Sequence, residues 1–188
     1  MSSPETALAE KELFELLKAL SFRRGNFTLA SGQQSDFYLD CRMTTLSARG
    51  SYLIGQLLYE RLAELNVDAV GGMSMGADPM VTAITCRSAE VGKSIDGFLI
   101  RKEAKGHGTG RQIEGHLQPW MRVALVEDVV TTGGSTLKAI EAIRRFSSNI
   151  EIVEVLSLVD RKGGGPEAFK RLGIPFRSLY SIDAFLRG

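Results

Sequence analysis

The sequence predicts one doubly wound α/β domain, with a mostly parallel central sheet and a small accessory β-hairpin. Short apolar runs typical of buried strands alternate with stretches of helical periodicity along the chain. One early segment instead alternates apolar and polar residues between turn residues, which favours a hairpin beside the main sheet. A length of 188 residues suits a single domain, so we expect residues 1–188 to fold as one unit.

The helices and strands can be assigned in order from these patterns. Ser3, Pro4 and Glu5 predict the N-cap and first turn of a helix that reaches about Leu20. The hairpin follows over 23–40, and apolar residues at helical spacing predict a long amphipathic helix over 45–65. Strands are then expected at 68–73, 97–100, 123–126, 150–159 and 176–180, helices at about 79–87 and 166–172 and along the face Leu137, Ile140, Ile143 and Phe146, and a terminal turn at 182–186.

Composition excludes several classes of protein. The hydrophobic fraction of 44%, the charged fraction of 24% and the net charge of +1 predict a globular protein without a nucleic-acid or membrane partner. No apolar stretch approaches the roughly 18 residues of a membrane span, and the N-terminus lacks the pattern of a signal peptide. We therefore expect a cytoplasmic location, with Cys41 and Cys86 as reduced structural thiols.

Two adjacent carboxylates follow the predicted strand at 123–126. In open α/β sheets the ligand lies beyond the carboxyl ends of the strands, so Glu127 and Asp128 should project at the mouth of a crevice. Because neighbouring carboxylates repel each other, a cation or a group rich in hydroxyls should occupy the space between them. A magnesium ion and the vicinal hydroxyls of a sugar are the two candidates.

The next residues, 131–136, have the sequence Thr-Thr-Gly-Gly-Ser-Thr and precede a predicted helix. Such a loop can direct consecutive backbone N–H groups to one point, where the helix adds the positive end of its dipole. That geometry binds a phosphate dianion. The segment matches neither Gly-x-x-x-x-Gly-Lys-Ser/Thr nor Gly-x-Gly-x-x-Gly. The alternative is an ordinary glycine-rich turn between a buried strand and a helix.

A glycine-rich segment after the strand at 97–100 has the features of an active-site lid. Its potential cations are Arg101, Lys102, Lys105, His107 and Arg111. Four glycines between Gly106 and Gly115 favour mobility, and a closing lid would bring positive charge onto a polyphosphate. A solvated charged loop remains the alternative.

Three further features have both a functional and a structural interpretation. The turn at 73–79, Met-Ser-Met-Gly-Ala-Asp-Pro, is either a second phosphate-binding turn or a tight connection between a strand and a helix. Phe37 and Tyr38 could stack on a flat ring or simply pack in the hairpin. Arg161, at another strand end, could bind a carboxylate through two hydrogen bonds or serve surface solubility.

Four separated segments carry a resemblance to a known family. They are 25–40 with its Phe-Thr-Leu-Ala-Ser-Gly core, 101–108 with Arg-Lys-Glu-Ala-Lys-Gly-His-Gly, 127–136, and Asp160-Arg161. The third resembles the phosphoribosyl pyrophosphate (PRPP) signature of type I phosphoribosyltransferases, and the second is more specific to the orotate enzymes. The whole chain thus resembles the orotate phosphoribosyltransferase family.

The resemblance implies the type I phosphoribosyltransferase fold with a hairpin hood. It implies transfer of ribose 5-phosphate from PRPP to N1 of orotate, with Mg²⁺, in pyrimidine (UMP) biosynthesis. It also implies a homodimer whose lid enters the neighbouring active site. Mg²⁺ would be carried mainly by PRPP, with Asp128 as the candidate protein ligand.

The family's site residues carry over to matching positions of this sequence. Lys105 and Asp128 would be catalytic. PRPP would be bound by Arg101, Lys102, Lys105, His107, Glu127, Asp128, Val129, Val130, Thr131, Thr132, Gly133, Gly134 and Ser135. Orotate would contact Thr131, Arg161, Phe37 and Tyr38.

Two positions depart from the pattern of some members. Ala30 and Met75 stand where those members carry lysines near the substrates, so part of the positive charge must come from elsewhere. Two rival functions share the phosphate signature: a phosphoribosyltransferase for a purine base, and a regulatory protein that senses PRPP and binds RNA or DNA. Arg161 disfavours the first, and the near-neutral charge disfavours the second.

Overall fold

The computed structural model describes residues 3–28, 32, 34–103 and 112–187. The helices are α1 Pro4–Leu20, α2 Arg42–Thr45, α3 Ala48–Ala63, α4 Asp78–Glu90, α5 Gly134–Phe146, α6 Gly165–Lys170 and α7 Ile182–Leu186. The strands are β1 Phe22–Thr28, β2 Gln34–Leu39, β3 Ala69–Met73, β4 Asp96–Ile100, β5 Ile113–Gly115, β6 Arg122–Val130, β7 Glu151–Asp160 and β8 Phe176–Ser181.

A six-stranded sheet in the order β5-β4-β3-β6-β7-β8 forms the centre of the fold. Its strands are parallel except β5, which runs antiparallel to β4 at the edge. Helices α1, α3, α4 and α7 pack on one face, and α5 and α6 cover the other. Strands β1 and β2 form a separate antiparallel hairpin. The structure therefore confirms the doubly wound, mostly parallel sheet with an accessory hairpin.

Local sequence signals explain the first helix well. The Ser3 hydroxyl accepts a hydrogen bond from the backbone N–H of Thr6 at 3.1 Å, and Pro4 occupies the first turn. The buried face consists of Ala9, Leu13 and Leu17. Leu8, which the spacing also placed on the apolar stripe, is 68% exposed, so the stripe is narrower than predicted.

The central strand is longer than its apolar run. β6 pairs with β7 from Arg122 through Val130, so Glu127 and Asp128 lie inside the strand and not after it. Apolar character marks only the part of a strand buried on both faces, and the hydrogen-bonded ladder continues into the ligand-facing part. Successive residues point to opposite faces, which directs the two carboxylates toward different helices.

Three smaller features also differ from expectation. Phe146, assigned to the buried face of α5, is 48% exposed, and Ala139, Ile140 and Ile143 form that face instead. The short strand β5 was not predicted, because three residues carry too little periodicity. Cys41 is buried, but Cys86 is exposed, which contradicts a structural role for the second thiol.

Within the described ranges, no helix is long and apolar enough to cross a bilayer.

Candidate active site

A cleft of about 600 Å³ opens where β3, β6 and β7 end. It lies at the carboxyl edge of the parallel strands, where ligands bind in open α/β sheets. Its walls come from the end of the hairpin, the start of α2, the turn after β3, the segment after β4, the end of β6, the start of α5 and the residue after β7. They comprise Tyr38, Leu39, Asp40, Arg42, Met73, Ser74, Met75, Gly76, Lys102, Glu127, Asp128, Val129, Thr131, Ser135 and Arg161.

A second cavity, of about 360 Å³, adjoins this cleft at the β6–α5 turn. Helix α5 has no side-chain cap at its N-terminus, so its first N–H groups are available to an anion. Lys138 adds a positive charge one turn into the helix. The cavity is lined by the run of residues 129–135 that was predicted to bind PRPP, of which 131–135 were predicted to hold its 5-phosphate: Val129, Val130, Thr131, Thr132, Gly133, Gly134 and Ser135.

Gly133 shapes this turn because it adopts a left-handed conformation, with φ of 79°. A Cβ at this position would lie 2.8 Å from Cζ of the buried Phe169. No other residue fits without displacing the turn or the core beneath it.

Gly133→Ala is therefore expected to weaken binding of ribose 5-phosphate by about 10-fold or more, because the N–H groups of the turn would move out of register. Isothermal titration calorimetry would measure this. Gly173→Ala is the matched control, since Gly173 has φ of 71° but open space around its Cβ position, away from the cleft. Equal affinities in the two variants would contradict the assignment of the turn.

Glu127 points toward the α5 face of the sheet. The Thr136 hydroxyl donates a hydrogen bond to Glu127 Oε2 at 3.0 Å. Burial and the nearby Asp128 carboxylate raise the pKa of Glu127 to about 7. The carboxyl group is thus poised to lose its proton near neutral pH when a hydroxyl-bearing ligand binds.

The raised pKa predicts that Glu127 makes stability depend on pH. Between its ordinary pKa of 4.5 and about 7, the unfolded chain releases the proton while the folded chain retains it. The contribution of Glu127 to stability is therefore fully present below about pH 4.5 and is lost as the pH rises through about 7, by about 3 kcal/mol at most. Urea unfolding across this range should show that Glu127→Gln has a shallower decline than the parent. Parallel curves would contradict the raised pKa.

Asp128 points to the opposite face. Its Oδ1 accepts a hydrogen bond from the Val129 N–H at 2.9 Å, and a Cβ on Gly76 would lie 2.9 Å from the same oxygen. Burial raises the pKa of Asp128, the negative charge of Asp40 adds to this effect, and the Arg42 guanidinium opposes it. The turn after β3 and the end of β6 thus meet at this carboxylate.

Arg161 leaves β7 and lies in the cleft with its guanidinium carbon 4.7 Å from the centre of the Phe37 ring. Its backbone N–H donates to Val130 O at 2.8 Å, which anchors it to β6. No carboxylate forms a salt bridge with Arg161 within the described part of the chain. The guanidinium is positioned by an aromatic face and remains available to an anionic ligand.

The predicted ring-binding pair divides between two environments. Tyr38 is 42% exposed and lines the cleft. Phe37 packs against Phe22, with ring centres 5.8 Å apart, and supports Arg161. Phe37 is thus placed to orient the cation, while Tyr38 packs against Phe27, with ring centres 5.5 Å apart, and has its exposed part in the cleft.

The predicted lid cations occupy different places. Lys102 lines the cleft, but Arg101 forms a salt bridge with Glu114 of β5, with Nε to Oε1 at 3.1 Å. Lys105 and His107 lie outside the described residues, as does Ala30. Met75 is 66% exposed and lines the cleft, so a lysine at this position would face the cleft.

Sequence reasoning missed two charged residues of the cleft, Asp40 and Arg42. It also missed Thr136 as the hydrogen-bond partner of Glu127. The Asp-x-Arg spacing at 40–42 is too common to indicate a site, and only the fold brings it opposite β6. Among the described residues, no group of three His, Cys, Asp or Glu side chains could hold a metal ion.

No protein-family model matches the chain. Comparisons with individual curated proteins do find relatives that match along nearly the whole chain. It is 49% identical over 174 residues to the orotate phosphoribosyltransferase of Thermosynechococcus vestitus, covering 92% of this chain and 90% of that protein. It is 40% identical over 191 residues to that of Rhodopirellula baltica, covering 98% of each.

A solved structure is similar over most of its length. The Mycobacterium tuberculosis orotate phosphoribosyltransferase in complex with PRPP has a TM-score of 0.79 and 38% identity, covering 94% of this chain and 98% of that one. The fold, with its glycine-rich turn at an uncapped helix start and carboxylates near the end of β6, defines a type I phosphoribosyltransferase. Within that class, the chain belongs to the orotate phosphoribosyltransferase family.

Proposed function

We propose that residues 1–188 form one phosphoribosyltransferase domain that transfers ribose 5-phosphate from PRPP to N1 of orotate. The products are orotidine 5′-phosphate and pyrophosphate, and the reaction belongs to pyrimidine biosynthesis. The observation that carries the proposal is the placement of Arg161, an unpaired cation among the described residues, in the same cleft as Asp128 and the phosphate-binding turn. Relatives at 40–49% identity named orotate phosphoribosyltransferase support it.

The arrangement of the cleft orders the substrate along β6. The turn at 131–135 binds the 5-phosphate, and Glu127 and Asp128 accept hydrogen bonds from the ribose hydroxyls. The C1 carbon then faces the open cleft, where positive charge develops on the ribose as pyrophosphate departs. Negative charge on Asp128 stabilises that state, so positioning and electrostatics suffice and no covalent nucleophile is required.

Orotate differs from other bases in carrying a carboxylate. The guanidinium of Arg161 can bind both oxygens of that carboxylate while Phe37 holds it in place. A neutral purine offers no such group, which disfavours the purine rival. Orotate also ionises readily, so N1 can attack without a strong enzymic base.

The residues present fit Mg²⁺ delivered by PRPP. Magnesium in such sites is held by one or two carboxylates together with substrate phosphates, and Asp128 is the group that would contact it. When bound, the ion neutralises the diphosphate of the leaving group. We also propose a cytoplasmic homodimer with a shared lid, which the family resemblance supports.

The decisive experiment mixes the purified protein with PRPP, Mg²⁺ and orotate and follows the absorbance of orotate. Adenine, guanine, hypoxanthine and uracil serve as separate acceptors. Consumption of orotate alone is the expected result. Turnover of a different base alone would show that the proposed acceptor is wrong. The absence of turnover with every base would favour a PRPP sensor.

A further inference from the structure

We propose that Arg42 binds the diphosphate group of PRPP and that Asp40 holds its guanidinium in position, because this ion pair lies in the same cleft as Asp128 and the turn after β3. The inference rests on the proposed function and adds two residues to the site. It also names a source for positive charge that Ala30 and Met75 cannot supply.

The guanidinium of Arg42 is fixed by two parallel hydrogen bonds. Nε donates to Asp40 Oδ1 and Nη2 donates to Oδ2, both at 2.8 Å. The backbone N–H of Arg42 also donates to Oδ1, at 3.1 Å. Since a guanidinium carries five N–H donors, three remain for a ligand. The side chain is 47% exposed, so these donors are accessible to a ligand in the cleft.

The surroundings place this guanidinium beside the reacting part of the substrate. Arg42 lines the cleft together with Ser74, Met75 and Gly76, and Gly76 approaches Asp128 closely. The positive charge of Arg42 also opposes the rise in the pKa of Asp128. A ribose whose hydroxyls reach Asp128 would therefore carry its diphosphate into the region between Arg42 and the turn after β3.

The balance of charges in the cleft favours a role for Arg42 in binding an anion. Asp40, Glu127 and Asp128 supply carboxylates, and the cations among the described lining residues are Arg42, Lys102 and Arg161. In the proposed function, Arg161 binds the carboxylate of orotate. Among the described lining residues this leaves Lys102 and Arg42 to face the diphosphate, in addition to Mg²⁺ delivered with PRPP, and each cation helps to offset the desolvation of a multiply charged group.

A purely structural ion pair is the alternative, and the chain contains a close match for it. Arg49 donates from Nε to Glu12 Oε1 at 2.7 Å and from Nη2 to Oε2 at 2.6 Å. Its side chain is 55% exposed, and it links α3 to α1 outside the cleft. Arg49→Gln therefore removes the same interaction without touching the site.

Calorimetric titration with inorganic pyrophosphate and with ribose 5-phosphate tests the proposal directly. Arg42→Gln should raise the Kd for pyrophosphate by about 10- to 100-fold, the loss expected when charged hydrogen bonds are removed. The Kd for ribose 5-phosphate and the KM for orotate should change less than about threefold. Arg42→Lys should retain part of the affinity for pyrophosphate, since the positive charge remains but the planar, bidentate hydrogen-bonding geometry of the guanidinium is lost.

Asp40→Asn separates position from charge. Removing the negative charge of Asp40 alone would tighten binding of an anion. Losing the hydrogen bonds that hold the Arg42 guanidinium in position should weaken it. We expect the second effect to dominate and pyrophosphate binding to be weaker. Tighter binding would overturn the role of Asp40.

A Kd for pyrophosphate that is the same in Arg42→Gln, Arg42→Lys and Arg49→Gln would overturn the role of Arg42. The pyrophosphate titration needs no turnover, so it decides the inference separately from the orotate assay. If the parent protein bound pyrophosphate through Arg42 but used no orotate, only the proposed function would fall.

Discussion

Arg161→Ala is expected to raise the KM for orotate by about 100-fold, because two charge-assisted hydrogen bonds to the carboxylate would be lost. The KM for PRPP should change by less than about threefold, since the phosphate turn and the two β6 carboxylates remain intact. Steady-state kinetics with each substrate varied in turn would measure both. The asymmetry follows because Arg161, held over the Phe37 ring, is not among the residues that line the cavity at the β6–α5 turn.

Two further variants make this prediction specific. Arg161→Lys keeps the charge but loses the planar fork and its stacking on Phe37, so its KM for orotate should fall between those of the parent and the alanine variant. Lys162→Ala removes a neighbouring cation that pairs with Asp183, and it should behave as the parent. Unchanged orotate saturation in Arg161→Ala would show that another group binds the carboxylate.

Lys105→Ala is expected to reduce kcat by about 100- to 1,000-fold while PRPP binding weakens less than about 10-fold. Lys105 lies outside the described residues, and its role is inferred from the cation-rich segment that contains it. A cation that meets the diphosphate as the leaving group departs stabilises the transition state more than the ground state. Calorimetry and single-turnover kinetics would separate the two effects.

Lys93→Ala provides the control for loss of a lysine. Lys93 is exposed and donates to Ala63 O and Asn66 Oδ1, remote from the cleft. It should retain full turnover. If Lys105→Ala lost PRPP affinity and turnover to the same extent, the result would favour a PRPP-sensing regulatory protein over an enzyme.

The order and type of the main elements could be predicted because each depends on local periodicity. The glycine-rich turn between β6 and α5 could also be predicted, because its hydroxyls, its glycines and the helix start are contiguous in sequence. The extent of β6 was not, since pairing with β7 through Val130 continues past the apolar run. A three-residue strand such as β5 gains its order from pairing with β4, which sequence alone does not show.

The site was predictable only where neighbours in sequence are also neighbours in the site. Glu127, Asp128 and the turn after them satisfy that condition. The placement of Phe37 beneath Arg161 joins the hairpin to the end of β7, and the Asp40–Arg42 pair reaches Asp128 only through the fold. Such contacts between distant segments have no local signature, so they appear only in three dimensions.

The most direct test of the central claim is a competition assay with identification of the product. Equal concentrations of orotate, uracil and adenine would be incubated with PRPP, Mg²⁺ and the protein. The nucleotides formed would then be separated by chromatography, and each would be identified and quantified by mass spectrometry. We expect orotidine 5′-phosphate as the sole nucleotide formed, with pyrophosphate in equal amount. Formation of a uracil or adenine nucleotide in preference to it would contradict recognition of the orotate carboxylate by Arg161.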